Sequence, residues 1–173
     1  MILTRLEKLP AYRMHTPKWA VQPTSGLGAA KWGGRVNRPG IEALYLSLER
    51  ETAIQEYQQL SELLPPGLLT SYQVTVDAVV DFRRGYTASE WNPLWEDFYC
   101  DWRELWFNQH IEPPSWLIGD TVIAAGASGM LFHSSLLTGG TNLVLFPKTY
   151  ANSDSITVYD PDHSLPKNQD SGT

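Results

Sequence analysis

The stretch Gly26–Tyr57, GLGAAKWGGRVNRPGIEALYLSLERETAIQEY, changes character twice along its length. It begins glycine-rich around Arg35 and narrows to the apolar run ALYLS at residues 43–47, which carries Tyr45. It then continues as a segment with apolar residues at steps of three and four. Breakers, a strand-length apolar run and a 3.6-residue period spell loop, strand and helix in that order. The helix is expected from about Leu48 to Leu63, with Ser47 as N-cap and Pro65-Pro66-Gly67 as its stop. Ala53, Ile54, Tyr57 and Leu60 fall on one face, and Glu56 lies on its rim, roughly 90° from the centre. Gly33 and Gly34 permit close backbone approach. A guanidinium fork suits phosphate oxygens. A cation, an aromatic plane and a carboxylate from three successive elements together suit a ligand with phosphate, ring and sugar.

Working outward, Ile2–Leu6 alternates as a strand, and the glycine- and proline-rich 17–40 segment reads as loop and turns rather than helix. Leu68–Val76 and Ala78–Phe82 read as strands. A long helix is expected over Pro93–Asn108, because Trp91, Trp95, Phe98, Tyr99, Trp102 and Trp106 repeat at three- and four-residue steps. Pro113-Pro114 introduces a helix over Ser115–Ala125. Gly129–Ser134 and Asn142–Phe146 look like paired strands around a turn with Gly139-Gly140, and Ile156–Tyr159 is one more strand. This mixed order lacks regular βαβ alternation and predicts an α+β domain, a mixed sheet with flanking helices, over residues 1–160. The polar tail 161–173, PDHSLPKNQDSGT, is expected to be disordered.

Composition narrows the function. The 173 residues suffice for one domain with a real core. No apolar run of about 18 residues is present, so no membrane span is expected. MILTRLEKLPAYR lacks the apolar centre of a signal peptide, and cytoplasmic residence is the expectation. Thirteen basic residues scattered among nineteen acidic ones give a net charge of −6. That balance disfavours direct nucleic-acid binding, which draws on clustered Lys and Arg, but leaves room for a small anion. A metal site is not expected: the four histidines are far apart, no HExxH or CxxC occurs, and Cys100 is the only cysteine. GxGxxG after a strand, GxxxxGK[ST] and GxSxG are all missing.

Taken in order, GGRVN with Arg35, ALYLS with Tyr45, Ala53-Ile-Gln-Glu56 and GMLFHSS…GGTNLVLF with Ser134 resemble the RES-domain family. These are the toxin halves of bacterial toxin–antitoxin pairs, named for an Arg, a Glu and a Ser. The resemblance runs from about Leu3 to Phe146. The intervals Arg35–Tyr45 and Tyr45–Glu56 agree with the family's arrangement. Two positions depart from it: Val36 stands where an aromatic is usual, and His133 where a proline is usual. Ser134 and Ser135 both compete for the serine position, and the strand spacing favours Ser134.

The resemblance implies an ADP-ribosyltransferase-like fold and consumption of NAD, as substrate and not as cofactor. It assigns Glu56 to a ribose hydroxyl and the developing sugar cation, Arg35 to the pyrophosphate, and Tyr45 to the nicotinamide or its ribose. Ser134 would orient a ribose or amide group. Asn37 and Asn142 are secondary polar candidates for the substrate, with turn-stabilising roles as the simpler reading. Water, inorganic phosphate or a protein side chain would each serve as acceptor, making a glycohydrolase, a phosphorylase or an ADP-ribosyltransferase. A neutralising Xre-like antitoxin is the implied partner. The competing reading is a catalytically inactive interaction module whose Trp91–Trp106 stripe binds a partner.

Overall fold

The computed structural model describes residues 1–169, and Asp170–Thr173 at the end of the polar tail lie outside the described residues. Six strands form one mixed sheet: β1 (Leu3–His15), β2 (Leu44–Ser47), β3 (Leu68–Asp81), β4 (Gly129–His133), β5 (Thr141–Leu145) and β6 (Ser155–Val158). Their order is β1-β2-β5-β4-β3-β6, and β1 also pairs with β3. The first five strands therefore close on themselves, with β6 lying along the middle of β3. Only β3–β4 is parallel.

Strand alternation sorts side chains between two cores. Leu44 and Leu46 of β2, Leu131 of β4, and Leu143 and Leu145 of β5 fill the inside of the ring with Ala11, Val74 and Val76. Their neighbours point the other way. Tyr45, Met130, Phe132 and Val144 pack in a second cluster with the aromatic segment and with α3 (Pro114–Ala124). A single period-2 pattern thus builds a dry ring interior and an outward face that carries Tyr45, Ser47 and Asn142.

Several expectations change on folding. β1 extends to His15, well past Leu6, because it pairs along almost the whole of β3. The two runs at 68–76 and 78–82 are one strand. The breaker-rich 17–40 segment contains the six-residue helix α1 (Leu27–Trp32), stopped by Gly33 at φ 81°. The helix after β2 is shorter than expected: α2 spans Arg50–Gln58 and ends where Gln59 turns to φ 57°. Leu60, expected on its apolar face, is 89% exposed. Glu49 holds the N-cap position instead of Ser47, accepting from Thr52 Oγ1 (2.7 Å) and from the Thr141 amide (2.9 Å).

The long helix over 93–108 does not form. A 3-10 turn at Pro93–Asp97 and a π-helical turn at Glu104–Asn108 replace it. A continuous helix would spend the carbonyls of Phe98 and Cys100 on amides four residues on. Here both accept instead from Arg35 Nη1, each at 3.1 Å. The aromatic stripe still packs: Trp91, Trp95, Phe98 and Trp102 are buried, the first three around Phe82. Of the other two members of the stripe, Tyr99 is exposed and Trp106 half-buried. In the tail, the Asp160 carboxylate caps the amides of Ser164 and Leu165.

Candidate active site

A cavity of about 1070 Å³ opens against the outward face of β2 and β5. Arg35, Tyr45, Glu56 and Asn142 all contribute to its lining, so four residues up to 107 positions apart in sequence (35 to 142) meet in one place. The volume lies just above the usual range for small-molecule sites.

Its carboxylate wall is assembled from side chains. Glu56, half-buried on α2, receives Ser134 Oγ at 2.7 Å and Asn142 Nδ2 at 2.6 Å, both on Oε1. Ser134 is itself fixed, its oxygen accepting from the amides of Leu136 (3.1 Å) and Leu137 (3.2 Å). Asn142 is oriented from behind by Ser47, whose hydroxyl donates to Asn142 Oδ1 at 2.9 Å. This bond and the pairing Ser47↔Asn142 explain why Ser47 serves the sheet and not the helix cap. Bonds to an ionised carboxylate are among the stronger hydrogen bonds. Glu56 Oε2 has no protein donor among the described residues. Of the two adjacent serines, Ser134 holds Glu56, whereas Ser135 is exposed and lines the cavity.

The arginine wall is held by backbone groups. α3 presents Ser115 Oγ to the Arg35 carbonyl (2.5 Å) and Trp116 Nε1 to the Gly34 carbonyl (2.7 Å). At Gly119 a Cβ would stand 1.7 Å from the Val36 carbonyl oxygen, so helix and loop touch backbone to backbone. From the sheet side, Tyr45 Oη accepts from the Val36 amide at 3.1 Å and donates to Asn37 Oδ1 at 2.8 Å. A Cβ on Gly34 would meet both of those oxygens at 2.5 Å. Burial above all holds the Tyr45 phenol far above its ordinary pKa, so it remains a neutral donor.

Asn37 is 2% exposed, and its amide nitrogen donates to the carbonyls of Ala29 and Ile41, each at 2.9 Å. It does not line the cavity. The loop consumes its hydrogen-bonding capacity, so Asn37 is scaffold, and the expectation of a substrate contact there gives way. Arg35 lies above the rings of Phe98 and Tyr99, 5.8 and 5.7 Å from their centroids, while its Nη1 anchors the 98–100 turn. His133 is exposed, and its backbone carbonyl accepts from Tyr99 Oη at 3.3 Å.

Sequence reasoning passed over Ser115, Trp116 and Gly119, which no local pattern links to a loop 80 residues away. It also passed over Arg103, which lines the same cavity. A cation between Trp102 and Trp106 was the one available hint there. Among the described residues no group of three or more His, Cys, Asp or Glu is placed to hold a metal ion, and no helix is long and apolar enough to cross a membrane.

The family model described as "RES domain" matches residues 10–168. No curated protein matches the chain in sequence. Among solved structures, the fold is similar to a chain in the crystal structure of the M. tuberculosis MbcT–MbcA toxin–antitoxin complex. The TM-score is 0.57 at 18% identity, covering 93% of this chain and 91% of that one. At that identity the likeness is one of fold.

Proposed function

The chain belongs to the RES domain family, and from that membership we propose that it is the toxin of a toxin–antitoxin pair and degrades NAD at the cavity between Arg35 and Glu56. The observation that carries the reading is the Glu56 carboxylate, braced on one oxygen by Ser134 and Asn142 and turned into the same cavity that Arg35 lines.

The C1′–N bond to nicotinamide breaks with its electron pair going to the ring nitrogen. Nicotinamide therefore leaves neutral and needs no general acid. The sugar carbon passes through an oxocarbenium-like state, as in glycoside hydrolysis. Catalysis then requires positioning and a negative charge near the developing cation. Glu56 Oε2 is the free oxygen for that task, hydrogen-bonding a ribose hydroxyl and facing the cationic sugar. Ser134 acts through Glu56. Asn142 both braces Glu56 and borders the substrate, Tyr45 borders the nicotinamide end, and Arg35 takes the pyrophosphate. Water or inorganic phosphate attacks C1′ from the open side and loses its proton to solvent.

Nicotinamide release from NAD at millimolar concentration, with and without phosphate, tests this directly beside Glu56→Gln. Release by the wild type that the variant lacks is expected, and no release under either condition overturns the enzymatic reading. A radiolabel passing from NAD to a protein would assign the transferase reaction instead. Expression without a partner is expected to arrest growth, and Arg35→Ala or Glu56→Ala to relieve it. Continued arrest by folded, abundant variants would move toxicity elsewhere.

A neutralising partner, an Xre-like antitoxin, completes the proposal. Its support is the cavity's apolar mouth, where Trp32 (59%), Leu60 (89%) and Phe107 (46%) are all exposed. Exposed apolar patches of this kind commonly mark protein contacts.

A further inference from the structure

Arg13, Asp101, Arg103 and Glu104 line the cavity without a part in the proposed mechanism, and of these Arg103 is the cation set against Arg35. Arg103 sits at the mouth, exposed on one side, with its guanidinium 4.5 Å from the centroid of the buried Trp102 ring. A guanidinium held over an aromatic face keeps its N–H donors available to an anion. The ion pairs among the described residues engage Arg5, Arg38 and Arg83, and neither Arg35 nor Arg103 has a carboxylate at ion-pair distance. The acid nearest in sequence, Glu104, is occupied by Asn108 and Gln109.

The guanidiniums of Arg35 and Arg103 also act on each other. Surrounding protein and then the like charge of Arg35 lower the Arg103 pKa, and Glu56 and Asp101 offset only part of this. Arg35 in turn spends Nη1 on the carbonyls of Phe98 and Cys100, so only part of its fork remains for a ligand. The lining thus sets Arg35 against Arg103 in mutual repulsion, the former partly committed to the protein, while its third arginine, Arg13, donates to the Ser25 carbonyl. A single phosphate needs only one of them. A diphosphate bridge brings two negative charges and four non-bridging oxygens, which matches two forks.

We propose that Arg103 is the second cation for the diphosphate bridge of the dinucleotide, so that the cavity selects ligands carrying a diphosphate over those with one phosphate or none. This rests on the reading of the cavity as a nucleotide site. Arg103 grips the bridge from the mouth and Arg35 from the loop side.

Calorimetric titration of the full chain with ADP-ribose, AMP and adenosine tests it, using wild type, Arg103→Ala, Arg103→Lys and Glu56→Gln. Wild type is expected to bind ADP-ribose most tightly. Arg103→Ala is expected to weaken ADP-ribose by about tenfold or more, to flatten its salt dependence and to leave adenosine unchanged. Arg103→Lys should fall between, and Glu56→Gln should keep the preference for ADP-ribose over AMP. Unchanged melting temperatures of the variants certify the fold. If Arg103→Ala binds ADP-ribose as tightly as wild type, the proposal for Arg103 fails while the nucleotide reading stands. If wild type binds none of the three at millimolar concentration, the nucleotide reading itself fails and takes this inference with it.

Discussion

The two walls of the cavity are held by different kinds of bond. On the carboxylate wall, Glu56 is braced by Ser134 and Asn142, with Ser47 behind, and every one of these contacts runs between side chains. On the arginine wall, the 33–37 loop is fixed through its own amides and carbonyls by Ser115, Trp116 and Tyr45, and is pressed against the bare backbone of Gly119. The difference separates chemistry from shape. A side-chain network loses one bond at a time and leaves the backbone where it was, whereas a backbone-clamped loop has no such slack.

The sharpest way to break this contrast is Glu56→Gln, which keeps the volume and removes the charge. NAD turnover is expected to fall by about 10²–10³-fold, with the melting temperature nearly unchanged. A large drop in melting temperature would make the carboxylate wall structural too. Gly119→Ala is the converse experiment, since its Cβ would overlap the Val36 carbonyl. A loss of about 3 kcal/mol, and a melting temperature lower by roughly 6–12 °C, is expected by calorimetry. A melting temperature unmoved by the extra methyl would mean that helix and loop separate freely.

Acid strikes outside both walls. His15 is 6% exposed and its Nε2 lies 2.7 Å from Tyr72 Oη, whose own proton goes to the Pro23 carbonyl at 2.6 Å. Neutral His15 must therefore be the donor. Burial, and next the charge of Arg13, lower its pKa to about 4. The folded state thus binds fewer protons than the unfolded chain between pH 6.5 and 4. Its contribution is complete above the unfolded value and is lost as pH falls through that window, amounting to about 3 kcal/mol at most. Melting curves from pH 7 to 4.5 should show the slope, and His15→Gln should flatten it without altering NAD turnover at pH 7.

Smaller effects sharpen the carboxylate wall. Ser134→Ala is expected to slow turnover about tenfold, the cost of one hydrogen bond to a charged group. Ser135→Ala should stay within about twofold, and equal effects would erase the distinction between them. Tyr45→Phe removes the phenol that joins the Val36 amide to Asn37. It should cost about 1 kcal/mol of stability, read in denaturant, with turnover changed less than in Ser134→Ala.

Local pattern carried much of the architecture. ALYLS, GMLFHS and NLVLF became β2, β4 and β5 to within a residue or two, and Pro113-Pro114 introduced α3 as expected. Alternation sends Tyr45 to the side opposite Leu44 and Asn142 to the side opposite Leu143, and it took the pairings Tyr45↔Val144 and Ser47↔Asn142 to put the two on one face. The spacing of Arg35, Tyr45 and Glu56 was equally legible, each lying on its own short element of one continuous stretch.

What only the folded chain decided involves partners distant in sequence. Periodicity made Pro93–Asn108 a helix, but Arg35 takes the carbonyls such a helix needs, and the segment becomes two tight turns. β1 owes its length to β3, Asn37 is scaffold because Tyr45 reaches it from the sheet, and Ser134 matters through a carboxylate 78 residues earlier. Sequence by itself determined which side chains were available and the local shape of most segments, since those follow from near-neighbour sterics and period. Tertiary structure alone decided which donors meet which acceptors, because a buried polar group is satisfied by whatever packing brings within about 3 Å.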